Sequence, residues 1–218
     1  SPWTGLPTIE TERVSQASAD QRAGRAGRVR PGRCIRLYTS QDFGARPAHS
    51  TAEILRLDLA ETALLVHGCG VRQAAEFEWF EKPARSAIEA ADSLLERLGA
   101  IDALGSLTAD GRAMLGLPVH PRLGRLLIES ARRGIGRLGC RAAAVLSERY
   151  PRSRTPFESP GRPAAAVSGP SDVFAILDLI GEPDAEGRVG STLDRGAVAS
   201  IVRTATQLER SLARLSRG

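Results

Sequence analysis

The sequence predicts a mainly α chain with a small α/β remnant at its start. Apolar residues recur at helical spacing through most of the chain after residue 52, and several of these stretches close on a glycine or a proline. Only one early run, Arg33-Cys-Ile-Arg-Leu-Tyr-Thr39, reads as a β-strand. The 218 residues, 42% apolar and 25% charged, match a globular composition and suffice for a core. A disordered or collagen-like chain is thereby excluded.

The elements follow in order. Ser18-Ala-Asp-Gln21 has the spacing of a capping box and predicts a helix to about Val29. Pro31-Gly32 predicts a turn before the strand. Ala52 to Gly68 reads as a buried amphipathic helix, with Ile54, Leu55, Leu57, Leu59, Leu64 and Val66 among its apolar positions. A second helix runs from about Pro83 to Leu98, carries the stripe Ala87, Ala91, Leu94, Leu95 and Leu98, and stops at Gly99. Ile101, Gly105-Ser-Leu-Thr108 and a short helix from Thr108 to Leu117 complete a pattern of helix, helix, short strands and helix. That pattern suggests a winged-helix module. Pro118-Val-His-Pro121 breaks the chain. Helices follow at Leu123–Arg133, Arg137–Glu148, Ser171–Ile180 and Arg195–Leu215, with a proline-rich extended loop over Tyr150–Pro170. No internal repeat is evident.

Composition excludes several function classes. No apolar run approaches the roughly 18 residues of a membrane-spanning helix, so no membrane partner is expected. The start, Ser1-Pro-Trp-Thr-Gly5, lacks the basic and apolar regions of a signal peptide. Three widely spaced cysteines (Cys34, Cys69, Cys140) suit free thiols in a reducing cytosol, and a cytoplasmic location is expected. A start at Ser1 without methionine suggests an excised piece. Of the 30 basic residues, Lys82 is the single lysine, and it lies between Glu81 and Pro83. A Walker A loop requires lysine after glycine, so these residues contain no P-loop. The net charge of +5 is in itself a weak pointer to nucleic acid. The position of the charge says more.

Between Gln21 and Gln41 there is no acid, while Arg22, Arg25, Arg28, Arg30, Arg33 and Arg36 accumulate. On a helix Arg22, Arg25 and Arg28 fall roughly on one face. Gly24 and Gly27 each cost about 1 kcal/mol against alanine within a helix, so they ask for a reason. Glycine lets another backbone or a phosphate chain approach closely. Arginine supplies planar, permanently charged donors for phosphate oxygens, and Gln21 can orient a water or hold a phosphate oxygen without adding charge. These are the parts of an arginine-finger helix. The residue chemistry alone serves an unspecified phosphate or RNA site nearly as well, and a solvated basic helix end is the plain alternative.

Ser15-Gln-Ala-Ser-Ala-Asp-Gln-Arg-Ala-Gly-Arg-Ala-Gly-Arg28, followed by Pro31-Gly-Arg-Cys-Ile-Arg-Leu-Tyr-Thr39, closely resembles motif VI of the DEAH-box (DExH) helicases. Ala52-Glu-Ile-Leu-Arg56, Phe77-Glu-Trp-Phe-Glu-Lys-Pro83, Leu98-Gly-Ala-Ile-Asp102, Leu107-Thr-Ala-Asp-Gly-Arg112 and Leu117-Pro-Val-His-Pro121 continue the resemblance in order. Arg46-Pro-Ala-His-Ser50 before Glu-Ile-Leu-Arg looks most like the bacterial HrpB-type members. The resemblance implies three parts: the end of a second RecA-like domain over 1–49, a winged helix over 50–118, and a helical ratchet-like bundle over 119–218. It implies that Arg25 and Arg28 are arginine fingers reaching the γ-phosphate of ATP, which binds with Mg2+ between two RecA-like domains. Gln21 matches the residue near that phosphate and the attacking water, and Arg22 a more structural or interdomain arginine of the same ATP-phosphate site. Walker A, the DEAH box and motif V are absent from these residues, so the fragment alone is expected to be inactive. The implied partners are single-stranded RNA or DNA, RNA before DNA, and the missing RecA-like domains. A stand-alone winged-helix nucleic-acid-binding or adaptor module with a vestigial motif VI is the competing class.

Other candidates carry less. His67 and Cys69 lie two apart at a helix end, where packing explains them better than a metal, and no metal site is expected. Phe77, Trp79 and Phe80 could stack on bases, but Trp79 and Phe80 point to opposite sides of an extended chain, so at least one belongs to the core. Arg122, Arg125, Arg132 and Arg133, with Arg137 and Arg141, are candidates for a wall that binds a nucleic-acid backbone. An ordinary solvated helix face is the alternative there.

Overall fold

The computed structural model describes residues 12–147, 171–181 and 195–215. The proline-rich loop expected over Tyr150–Pro170 lies outside the described residues. Helix α1 (Gln16–Gly24) is capped by Ser15, whose hydroxyl accepts from the Ser18 N–H at 3.2 Å, and it tightens into a 3-10 turn over Arg25–Gly27. The expected start at Ser18 is therefore three residues late. The glycines at 24 and 27 weaken the α-helix where it narrows.

The strand expected over Arg33–Thr39 does not form. A strand needs a neighbour for its N–H and C=O groups, and among the described residues the only β pairing is an isolated bridge between Ile101 and Leu107. Ile35 and Leu37 consequently stand 82% and 95% exposed. A short helix α2 (Ser40–Gly44), capped by the Thr39 hydroxyl, turns the chain back toward α1.

The helix expected over Ala52–Gly68 is two pieces. Glu53–Leu55 is a 3-10 turn, and α3 (Ala60–Gly68) starts afresh because the Asp58 carboxylate accepts the Ala60 N–H at 2.7 Å. Leu59, Leu64 and Val66 are buried, whereas Leu55 and Leu57 are exposed. Helix α4 (Arg85–Arg97) buries Ile88, Ala91, Leu94 and Leu95. It ends on Gly99, whose φ of 69° permits the reversal through which the Ala100 N–H reaches the Leu95 carbonyl. The Asp102 carboxylate accepts from the Leu104 and Ser106 amides and folds the turn between the bridged residues.

Helix α5 (Ala109–Leu115) is capped by Thr108, which accepts from the Gly111 N–H at 3.0 Å and donates to the Gly99 carbonyl at 2.6 Å. His120 caps α6 (Pro121–Arg132), and α7 (Gly136–Ser147), α8 (Asp172–Gly181) and α9 (Arg195–Leu215) follow. One core runs from α3 through α7 and takes in α9, with Ile88, Leu95, Met114, Leu127, Cys140 and Leu208 fully buried. A smaller cluster joins α7, α8 and α9 through Val145, Ile176, Leu177 and Ile201. Burial pushes the Cys140 thiol up to about 11, while Cys34 and Cys69 are exposed.

Gly111 tests this packing. A Cβ there would lie 2.0 Å from the Ala100 carbonyl oxygen, a backbone atom with no side-chain freedom to yield. Gly111→Ala should destabilise the chain by about 2–3 kcal/mol, measured by urea denaturation. An unchanged midpoint would show that α5 does not press on that carbonyl.

Candidate functional site

The N-terminal docking of α1 presents the arginine run. Gln16 donates through Nε2 to the Arg46 carbonyl at 2.8 Å, and the Gln16 and Ala17 amides bond to the Pro47 and Ala48 carbonyls at 3.0 Å. Arg46 lies 3.9 Å from the Tyr38 ring centroid and pairs with Asp42 at 2.6 Å. Arg36 pairs with Asp20 and lies over the Phe43 ring at 4.5 Å. The Arg46 guanidinium holds the Asp42 carboxyl below its ordinary value. These contacts tie 36–48 to the first two turns of α1.

The six arginines that sequence groups together are thus divided. Arg36 is a structural cation. Arg22, Arg25, Arg28, Arg30 and Arg33 are exposed and form no ion pair among the described residues. Gln21 and Arg22 sit on α1, Arg25 opens the 3-10 turn, and Arg28 follows it. Three residues per turn bring positions 25 and 28 more nearly into line than an α-helix would. Among the described residues a Cβ on Gly24 or Gly27 would meet nothing within 4 Å, so their packing requires neither glycine. They leave a bare backbone face beside three unpaired guanidiniums, a donor set suited to phosphate oxygens.

The second basic surface lies on α6. Arg122, Arg125, Glu129, Arg132 and Arg133 fall within roughly 100° of its circumference at 3.6 residues per turn. The opposite face carries Leu123, Leu127 and Ile128 into the core. Of the expected wall, Arg122 is exposed and without an ion pair among the described residues. The other three are held by carboxylates. Asp110 of α5 pairs with both Arg125 and Arg132, and Glu129 with Arg133 at 2.7 Å and Arg125 at 3.6 Å. Arg132 foremost holds Asp110 below its ordinary 3.8 against an opposing effect of burial, and Arg133 holds Glu129 down. Arg137 faces Glu209 at 3.7 Å, and Arg141 donates to the Leu177 carbonyl at 3.2 Å. Sequence reasoning missed Asp110 because its partners come from another helix. No spacing within one element signals it.

The remaining candidates are placed as well. Trp79 donates its indole N–H to the Ala74 carbonyl at 3.0 Å and packs edge-on to Phe77 against the core, while Phe80 is fully exposed. His67 is buried between the Val71 carbonyl at 2.9 Å and Asp92 at 3.0 Å, joining α3 to α4. His120 accepts the Arg122 N–H through Nδ1 at 3.3 Å, and its Nε2 faces Asp58 at 3.5 Å. No group of three metal-ligating side chains occurs among the described residues. No helix there is long and apolar enough to cross a membrane.

No protein-family model matches the chain. Curated proteins do, and the homologues are DEAH-box ATP-dependent RNA helicases. The chain is 42% identical over 156 residues to the ATP-dependent RNA helicase HrpA of Escherichia coli, a match covering 69% of this chain and 12% of that protein. It is 39% identical over 149 residues to the ATP-dependent RNA helicase DEAH12, chloroplastic, of Arabidopsis thaliana, covering 67% of this chain and 8% of that protein. The probable ATP-dependent RNA helicase DHR2 of Saccharomyces cerevisiae is 40% identical over 130 residues, covering 60% and 18%. The chain therefore spans a small part of the length of the relatives it matches.

The α5–α6 network predicts an acid limb of stability. A carboxylate whose pKa is lowered by folding contributes stability that is complete above its unfolded value and is lost as pH falls through the folded one. For Asp110 the loss begins at about pH 5, as pH approaches the value the carboxyl has in the unfolded chain. Melting curves followed by circular dichroism should be steady in this respect from neutral pH to about pH 5, then fall. The fall should be shallower in Asp110→Asn. Parallel acid limbs in the two proteins would contradict the pairing.

Proposed function

We propose that this chain is the C-terminal part of the motor core of an ATP-dependent RNA helicase, together with its accessory domains. Residues 1–49 end a second RecA-like domain, 50–118 form a winged helix and 119–218 a ratchet-like bundle. The observation that carries the reading is the exposed set Arg22, Arg25 and Arg28, without ion pairs among the described residues, beside a backbone bared by Gly24 and Gly27. Helicase homologues at about 40% identity support it. The exposed apolar side chains of Val29, Ile35 and Leu37 agree with a segment whose sheet partners lie in the rest of such a domain. The HrpB-like subgroup rests on Arg46-Pro-Ala-His-Ser50 alone. Exposed free thiols at Cys34 and Cys69 agree with a reducing cytoplasm.

The donor set fits a nucleotide triphosphate. Arg25 and Arg28 would hold γ-phosphate oxygens, Gln21 would orient the attacking water, and Arg22 would brace the interface between domains. The Mg2+ that accompanies ATP neutralises phosphate charge, and residues outside this chain would hold it. Arginine fingers act by positioning fixed positive charge where negative charge develops in transfer. Single-stranded RNA or DNA would pass along the arginines of α6, held through its backbone without base readout.

The test is the helicase in which these residues are joined to a P-loop domain. Arg25→Ala or Arg28→Ala should leave ATP binding nearly intact and lower kcat about 10³-fold or more. Lysine should rescue poorly, because an ammonium lacks the planar fork. Near-normal turnover in either alanine variant would overturn the finger assignment.

The chain by itself should not hydrolyse ATP, since no P-loop is present in it. A phosphate-release assay on the purified chain checks this. Turnover that tracks with protein and disappears in Arg25→Ala would defeat the expectation and place a complete site within these residues.

A further inference from the structure

The stripe of arginines on α6 has two carboxylates set into it, and one of them comes from a different helix. Asp110 reaches across from α5 and meets two guanidiniums at once. Its Oδ2 accepts from Arg132 Nη1 at 3.0 Å and also from Arg125, while Oδ1 accepts from Arg132 Nη2. This is the bidentate fork by which a guanidinium takes two oxygens of a phosphate. Asp110 is thus seated as a phosphate would be.

The arginines it holds are not buried. The Arg125 and Arg132 side chains keep 34% and 53% of their surface, against 18% for Asp110. A ligand could reach both cations from solvent, and the carboxylate is what occupies them. Arg132 holds Asp110 below the ordinary carboxylate range, so it stays negative at neutral pH. The other charges facing the site are Glu129, which pairs with Arg133 and at 3.6 Å with Arg125, Arg133 itself, and Arg122, which has no ion pair among the described residues. The stripe is therefore a cationic surface that is half neutralised from within.

We propose that Asp110 is a built-in competitor for the phosphate backbone of single-stranded RNA. It occupies Arg125 and Arg132 so that a strand engages the α6 stripe fully only by displacing this carboxylate. The inference rests on the strand-facing role proposed above for α6. It adds that the affinity of this surface is held down, and its arginines held in position, by a residue on the neighbouring helix. A strand would then bind weakly and release readily, with Arg122 as its first contact.

Fluorescence anisotropy of a labelled oligouridine, titrated with the whole chain at several salt concentrations, tests this. Each added phosphate contact steepens the log–log salt dependence by about 0.7 and strengthens binding about tenfold near 50 mM salt. Asp110→Asn should gain at least one such contact in both slope and affinity. Glu129→Gln, whose partner pairs are exposed, should show a smaller gain and carries the test if Asp110→Asn proves unfolded by circular dichroism. Glu89→Gln removes one exposed negative charge from α4, where it pairs with Arg85 ten residues before the Gly99 turn that adjoins Arg125, and should change binding little. An equal gain in Glu89→Gln would reduce the effect to net charge and overturn the proposal. So would unchanged or weaker binding by folded Asp110→Asn. Arg122→Ala separates this from the reading beneath it. If Arg122→Ala weakens binding while Asp110→Asn does not strengthen it, only the competitor fails. If Arg122→Ala and the unaltered chain bind alike, or neither binds, α6 does not face the strand and both fail.

Discussion

Two close approaches of backbone to neighbouring elements govern how the central helices meet. At Gly111 the start of α5 presses on the Ala100 carbonyl, and at Gly124 the α6 backbone lies so near Met114 that a Cβ would sit 3.2 Å from its Cγ. No larger residue fits either place without movement. With α5 and α6 brought this near, Leu127 and Met114 fill the space between them and become fully buried. The same approach carries Asp110 to within bonding distance of Arg125 and Arg132, 15 and 22 residues further along the chain. A packing constraint thereby sets the electrostatics of the surface above it.

Cations on this chain consequently fall into two groups. Those with a carboxylate or ring opposite them are held by the fold: Arg36 by Asp20 and Phe43, Arg46 by Asp42 and Tyr38, Arg132 by Asp110. Such exposed or half-exposed pairs contribute modestly to stability, since water screens them and ordering two long side chains costs entropy. Their larger consequence is to leave the rest uncompensated. Arg22 sits in the last turn of a helix with a single acid, Asp20, which Arg36 already takes, and Arg25 and Arg28 follow that helix. Exposed, and without an ion pair among the described residues, they present charge suited to a ligand from outside the chain. This supports reading the 21–28 segment as one half of a site completed by another body.

Where sequence expectation and structure part, the reason is a missing or an unforeseen partner. Arg33–Thr39 has strand composition, but a strand is defined by pairing, and nothing among the described residues pairs with it. The run of apolar residues from Ile54 to Val66 fits one helix by periodicity. Asp58, by accepting the Ala60 amide, divides it. Capping-box spacing points to Ser18 as the start of α1, but Ser15 is the residue whose hydroxyl meets an amide three positions on. Periodicity reports which face is apolar, and it does not report where a short polar side chain will interrupt the ladder.

Helix positions from α4 onward, most of the buried stripe on α4 (Ala91, Leu94 and Leu95, though not Ile88) and the dense arginine run at 22–36 were legible in the residues, because each depends on neighbours a few positions apart. The motif at 21–28 was legible for the same reason, its glycines and arginines lying within two turns. Tertiary structure alone decided which arginines are spoken for. The pairings Asp20 with Arg36, Asp110 with Arg132 and Asp42 with Arg13 join residues 16, 22 and 29 positions apart. Charge acts through space, over a few ångströms, and chain separation carries no information about that distance until the helices are packed.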